Sequence, residues 1–119
     1  MKKISNKQKE RKSIEKAETV LMFQLFLTIW DNRADKDGNC FCFESNKVLR
    51  RETFKNLSTC YHHVLAKGKG SYPQYCLTEK NIVILHPDIH AAVEQSIDNC
   101  PKIRVYKQEL LDLHRTELL

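Results

Sequence analysis

An α+β fold is predicted for this chain by three observations. Residues 5–30 run without Gly or Pro and read as one long helix. Two stretches rich in β-branched and aromatic residues, T-C-Y-H-H-V-L (59–65) and N-I-V-I-L (81–85), read as strands on either side of a Gly- and Pro-containing loop. Residues 86–97 and 101–118 then read as helices, each with a proline at its first position. At 119 residues the chain suits one domain and leaves no room for a second core. That domain divides into a helix at 1–30 that is first basic and then apolar, a central unit at 40–97, and a C-terminal helix at 101–118.

The elements are justified in order. Ser5 is placed to cap the first helix. Its first half is polar. Its second half carries Val20, Leu21, Phe23, Leu25, Phe26, Leu27, Ile29 and Trp30, apolar almost all round. Such a helix end is buried on several sides or forms a homodimer interface. The apolar run V-L-M-F-Q-L-F-L-T-I-W (20–30) is too short to cross a bilayer, so no membrane association is expected. D-N-R-A-D-K-D-G-N (31–39) is a turn-rich loop whose acidic spacing does not fit a calcium loop. C-F-C-F-E-S (40–45) reads as a short strand or knuckle, and 46–58 follow no single period. The loop at 66–80 contains Gly68, Gly70 and Pro73. Asp88 falls in the first turn of helix 86–97, where the helix dipole favours an anion. The last helix has Ile103, Tyr106, Leu110 and Leu113 at helical spacing.

The apolar and charged fractions, 41% and 29%, are those of a globular chain and exclude a disordered one. The net charge is +5 and the pI about 9.0. Residues 1–16 hold seven Lys/Arg against two Glu and so carry the whole excess. A helix with that charge either tracks the phosphates of a nucleic acid or presents a solvated face. The cysteines are Cys40, Cys42, Cys60, Cys76 and Cys100. Their odd number, without the pattern of a secretory leader, points to a reducing, cytoplasmic setting. The thiols are then expected to be free and buried, or bound to metal.

Four residues stand out for chemistry: His62, His63, Asn81 and His90. Neighbours on a strand point to opposite faces, so His62 and His63 should do different jobs. His86 and Glu94 lie one turn before and after His90 on the same helix face. Taken singly, each has a plain structural reading: a core histidine beside a surface one, an asparagine that ends a loop, a histidine on an exposed helix. Taken together, Y-H-H-V-L and N-I-V-I-L-H-P-D-I-H, with a His nine residues after the Asn, resemble the HNH nucleases, whose core is the ββα-metal fold.

The resemblance covers roughly residues 40–97. It implies that His62 and His90 are metal ligands, with Glu94 a third one turn further on. It implies that His63 is the general base and that Asn81 hydrogen-bonds across the hairpin to hold the His63 loop. Members of that family often hold a structural zinc with two Cys-x-x-Cys pairs. Here the first pair is reduced to Cys40 and Cys42, and His86 and Ile89 stand where the second would be. A zinc at Cys40 and Cys42 would therefore need ligands from Cys60, Cys76 or elsewhere. His86 could touch metal, touch phosphate, or cap its helix. Lys67 and Lys69 are placed either to contact DNA phosphates or to keep the loop solvated. Tyr72 and Tyr75 either stack on a base or pack on the hairpin.

The expected function is that of a metal-dependent endonuclease acting on DNA with one divalent ion, Mg, Mn, Ni or Zn, and a histidine base. The small size and basic arm resemble small phage or mobile-element nucleases. The alternatives are a non-catalytic module binding nucleic acid or protein on the same scaffold, and a helical interaction protein dimerising through 20–30 and the last helix.

Overall fold

A computed structural model describes residues 6–66, 72–116 and 119. Helix α1 (Asn6–Arg33) has 28 residues, about 42 Å at 1.5 Å per residue. It runs three residues past the predicted end because Arg33 has tertiary partners, donating to the carbonyls of Ile82 (2.8 Å) and Glu79 (3.1 Å). The proposed Ser5 cap lies outside the described residues. Along α1, residues 7–21 are exposed, whereas Phe26, Ile29 and Trp30 are buried in the core. Met22, Phe23 and Leu25 pack against that core from its edge. Most of the apolar end is thus covered by the chain itself, leaving Val20 and Leu21 about half exposed.

The loop after α1 folds back on Trp30. The indole Nε1 donates to the carbonyl of Gly38 at 2.9 Å, and Asp35 Oδ1 accepts from the backbone of Asp37 and Asn39. Gly38 has φ +82°, and a Cβ there would come within 3.3 Å of the Arg51 guanidinium. The positive φ is what favours glycine at this position. Strands β1 (Cys40–Phe41) and β2 (Val48–Leu49) then pair antiparallel, and the one-turn helix α2 (Arg51–Phe54) follows. A two-residue strand and a single helical turn are shorter than any readable period, which is why 46–58 showed none.

The second hairpin pairs β3 (Tyr61–His63) with β4 (Ile82–Ile84), with Tyr61 opposite Ile84, His62 opposite Val83 and His63 opposite Ile82. Both strands are shorter than predicted, because the flanking residues pair differently. A 3₁₀ turn spans Ser58–Cys60, and another, Glu79–Asn81, replaces the expected strand start. The hairpins meet where Phe43 N donates to Ile84 O at 2.8 Å. Helix α3 (Pro87–Gln95) crosses the second hairpin and stops at Ser96, whose extended backbone starts a further 3₁₀ turn. Helix α4 (Pro101–Arg115) closes the fold. Its first turn is held by Glu44, whose carboxylate accepts from the backbone N–H groups of Lys102 and Ile103. The result is an α+β fold with a long N-terminal helix and two small antiparallel hairpins.

Asn81 is the buried polar residue among the described core, fully shielded from solvent. Its Oδ1 accepts from Leu65 N at 2.6 Å, and its Nδ2 donates to Leu65 O at 2.9 Å and Tyr75 O at 3.2 Å. Its own carbonyl accepts from Val64 N at 2.9 Å. Asn81 therefore continues the hairpin ladder with its side chain and ties the connecting loop to it. Replacing it strands a buried N–H and two carbonyls, each costing about 1–3 kcal/mol. Asn81→Ala is expected to lower unfolding stability by about 3 kcal/mol or more, measured by urea denaturation. An unchanged midpoint would show that the clip is not needed.

Candidate metal centre

Strand β3 sits between two helices, and its alternation sends each histidine to a different one. Tyr61 and His63 face α1: the Tyr61 ring stacks on Phe26 at 4.4 Å, and the His63 ring lies 6.0 Å from the same phenyl. Tyr61 is anchored further by its hydroxyl, which donates to Lys55 O at 2.6 Å. Burial raises that phenol well above its usual pKa. His62 faces α3, with its ring 5.1 Å from that of His90.

On α3, His90 and Glu94 are four residues apart and meet on one face, with His90 Nε2 3.1 Å from Glu94 Oε1. His62 Nδ1 lies 3.9 Å from the same carboxylate oxygen. The ligating atoms of His62, His90 and Glu94 all fall within 4.8 Å of one another. Two donors on one ion at about 2.1 Å each stand no more than about 4.2 Å apart. Both pairs that include Glu94 satisfy this, and the two imidazole nitrogens lie within 4.8 Å of each other.

The outer partners support the same use. His90 Nδ1 is 2.6 Å from the carbonyl of Thr59. A carbonyl only accepts, so Nδ1 carries a proton and Nε2 is the nitrogen placed to ligate an ion. Nε2 also faces a carboxylate, and a cation between the two satisfies both. His62 is mostly buried, and burial, reinforced by the neighbouring His90, lowers its pKa from 6.5 to about 4. It therefore stays neutral at ordinary pH, as a ligand must. Two imidazoles and one carboxylate, with the carboxylate largely exposed, make a set that suits Mn, Ni or Zn and leaves positions open.

His63 and Asn81 meet through the loop. His63 Nε2 lies 2.8 Å from Cys76 O, next to the Tyr75 carbonyl held by Asn81. Nε2 is then protonated and the lone pair belongs to Nδ1. His62, His63, His90 and Glu94 all line one cleft of about 540 Å³. Lys107 of α4 lines it too, and sequence reasoning passed it over. The available signal was its place on the inner stripe of α4, four residues after Ile103 and three before Leu110, both buried.

Other expected site residues lie elsewhere. His86 does not join the trio; its Nδ1 accepts from Asp88 N at 3.1 Å and so caps α3, and its ring packs 5.3 Å from Phe54. Of its three expected uses, the structure bears out capping. Cys40 and Cys42 are buried, with Cys40 Sγ donating to Trp30 O at 3.3 Å and Cys42 Sγ accepting from His86 N at 3.4 Å. Burial raises the Cys40 thiol to about 11. At Cys42 burial also opposes ionisation, but hydrogen bonds from Ser45 and the backbone outweigh it and lower the pKa. Among the described residues neither cysteine belongs to a group of three or more ligating side chains, so the further ligands that a zinc at Cys40 and Cys42 would need are not in place. All five cysteines are free thiols. Tyr72 and Tyr75 pack around His114 of α4, with ring separations of 5.2 and 5.4 Å. Lys67 and Lys69 lie outside the described residues.

The pKa of His62 sets a pH dependence. The unfolded chain binds its proton near pH 6.5 and the folded chain only near 4, so the unfolded state holds more protons between them. The stability associated with neutral His62 is complete above pH 6.5 and is lost as pH falls to 4. At about 1.4 kcal/mol per unit this amounts to roughly 3 kcal/mol. Urea denaturation in chelator should show a decline over this range that is shallower in His62→Phe. Parallel curves for the two proteins would contradict the assignment.

No helix among the described residues is long and apolar enough to cross a membrane. Comparison of the chain with protein-family models, with curated proteins and with solved structures gives no match.

Proposed function

We propose that this protein is a metal-dependent endonuclease that hydrolyses phosphodiester bonds in DNA, built on an HNH-like ββα-metal core. The observation that carries the reading is the convergence of His62, His90 and Glu94, with His63 the next residue along the strand and lining the same cleft. A divalent ion bound there would offset the negative charge that builds on the phosphate and the leaving oxygen. His62 and His90 would hold it through imidazole nitrogens, and Glu94 through its carboxylate. His63 Nδ1 takes a proton from water as the water oxygen bonds to phosphorus. The phosphorus–oxygen bond to the leaving group breaks, and that oxygen takes a proton from solvent. Asn81 touches no substrate; it fixes the loop whose Cys76 carbonyl sets the His63 tautomer.

The exposed first half of α1, with Lys7, Lys9, Arg11, Lys12 and Lys16, supports DNA as the partner. Contacts of this kind bind phosphates without choosing sequence, and weaken steeply with salt. A homodimer would draw on the half-exposed Val20 and Leu21 of the same helix.

A non-catalytic binding module is the second reading. The contact that favours it is His63 Nε2 with Cys76 O, which gives that ring a structural use in its own right. Plasmid cleavage separates the two. Metal-stripped protein is supplied with Mg, Mn, Ni or Zn beside His63→Ala. Metal-dependent cleavage that falls by about 100-fold or more in the variant, with DNA binding retained, is the expected result. Absence of cleavage of duplex, single-stranded and branched DNA with every metal would leave the binding module.

A further inference from the structure

We propose that Lys107 is the phosphate-binding cation of the cleft, its ammonium gripping a non-bridging oxygen of the phosphodiester beside His62, His90 and Glu94. This deepens the nuclease reading and rests on it for the identity of the substrate, although the anion site itself can be tested without cleavage.

Three observations support it. Lys107 lies on the inward stripe of α4 between buried Ile103 and Leu110, a position where an apolar residue would ordinarily complete the core. It is half-buried and lines the cleft with all three ligating side chains. Among the described residues Lys107 takes part in no ion pair, whereas Arg104 and Arg115 on the same helix are paired with Asp98 and Asp112.

A half-buried cation lining a cleft without an ion-pair partner of its own is poised for an anion from outside. Val64, Val93 and Ile97 line the same cleft, and such apolar walls strengthen the attraction by excluding water. An ammonium offers three donors from a compact charge, which suits a tetrahedral oxyanion. Glu94 is the acidic group of the cleft, and sharing its charge with a metal ion frees the site for phosphate. Lys107 thus comes from α4, outside the hairpin and helix that supply the other site residues, and makes the docking of α4 part of the site.

Inorganic phosphate is the probe. It would be titrated into Zn-loaded and metal-free protein, following the NMR signals of residues 62, 90 and 107, for the wild type and Lys107→Met. The expected result is saturable shifts at the cleft in the wild type, with affinity about tenfold or more weaker in the variant, as for loss of one charge-assisted contact. No saturable shift, or equal affinity in Lys107→Met, would overturn the proposal. Phosphate binding that depends on Lys107 in a protein that cleaves no DNA would uphold the anion site and remove the nuclease reading. Cleavage together with phosphate binding indifferent to Lys107 would do the reverse.

Discussion

The side chain of Asn81 is the constraint on which the rest of the site depends. A buried amide has two donors and an oxygen that accepts, and leaving them unmet in the core is costly. In this fold they are met by the backbone of Leu65, at the start of the loop from β3 to β4, and of Tyr75, in a 3₁₀ turn further along it. The amide therefore sets where that loop leaves and re-enters the hairpin. It also fixes the neighbouring Cys76 carbonyl, which orients His63. A leucine of similar size would fill the space without specifying either.

From that hairpin the division of labour follows by strand alternation alone. One face of β3 packs on α1 through Tyr61 and Phe26, and the other meets α3 at His90. The two adjacent histidines thereby meet different helices while lining one cleft. His90 and Glu94 meet through helical spacing, and the packing of α3 on the second hairpin brings them to His62 and to the Thr59 carbonyl that orients His90. Burial keeps His62 neutral, and the same burial makes its protonation a cost to the fold.

The long helix, the second hairpin and the two later helices were legible because each has either a Gly/Pro-free run or a clear apolar pattern. The boundaries were less so, since they depend on distant partners: Arg33 extends α1 through the Ile82 and Glu79 carbonyls, and Ser96 ends α3 by starting a new turn. The short β2 and α2 have no period to read. For the site, the spacing of His90 and Glu94 and the pair His62–His63 were enough to place the trio. His86 was ambiguous, because a residue before a helix-opening proline can ligate or cap, and only the position of Asp88 N decides. Cys40 and Cys42 looked like a remnant of a zinc site, yet in the fold they serve as small buried side chains bonded to backbone. Lys107 went unread because a charged residue on a helix is usually solvated, and its inward place shows only when the stripe is laid out residue by residue.

The central claim is that these three side chains bind one divalent ion. Anomalous X-ray diffraction from crystals soaked in Mn would test it most directly. The account predicts a single strong peak within about 2.0–2.4 Å of a His62 nitrogen, His90 Nε2 and a Glu94 oxygen. A peak elsewhere, or none at those side chains, would contradict it.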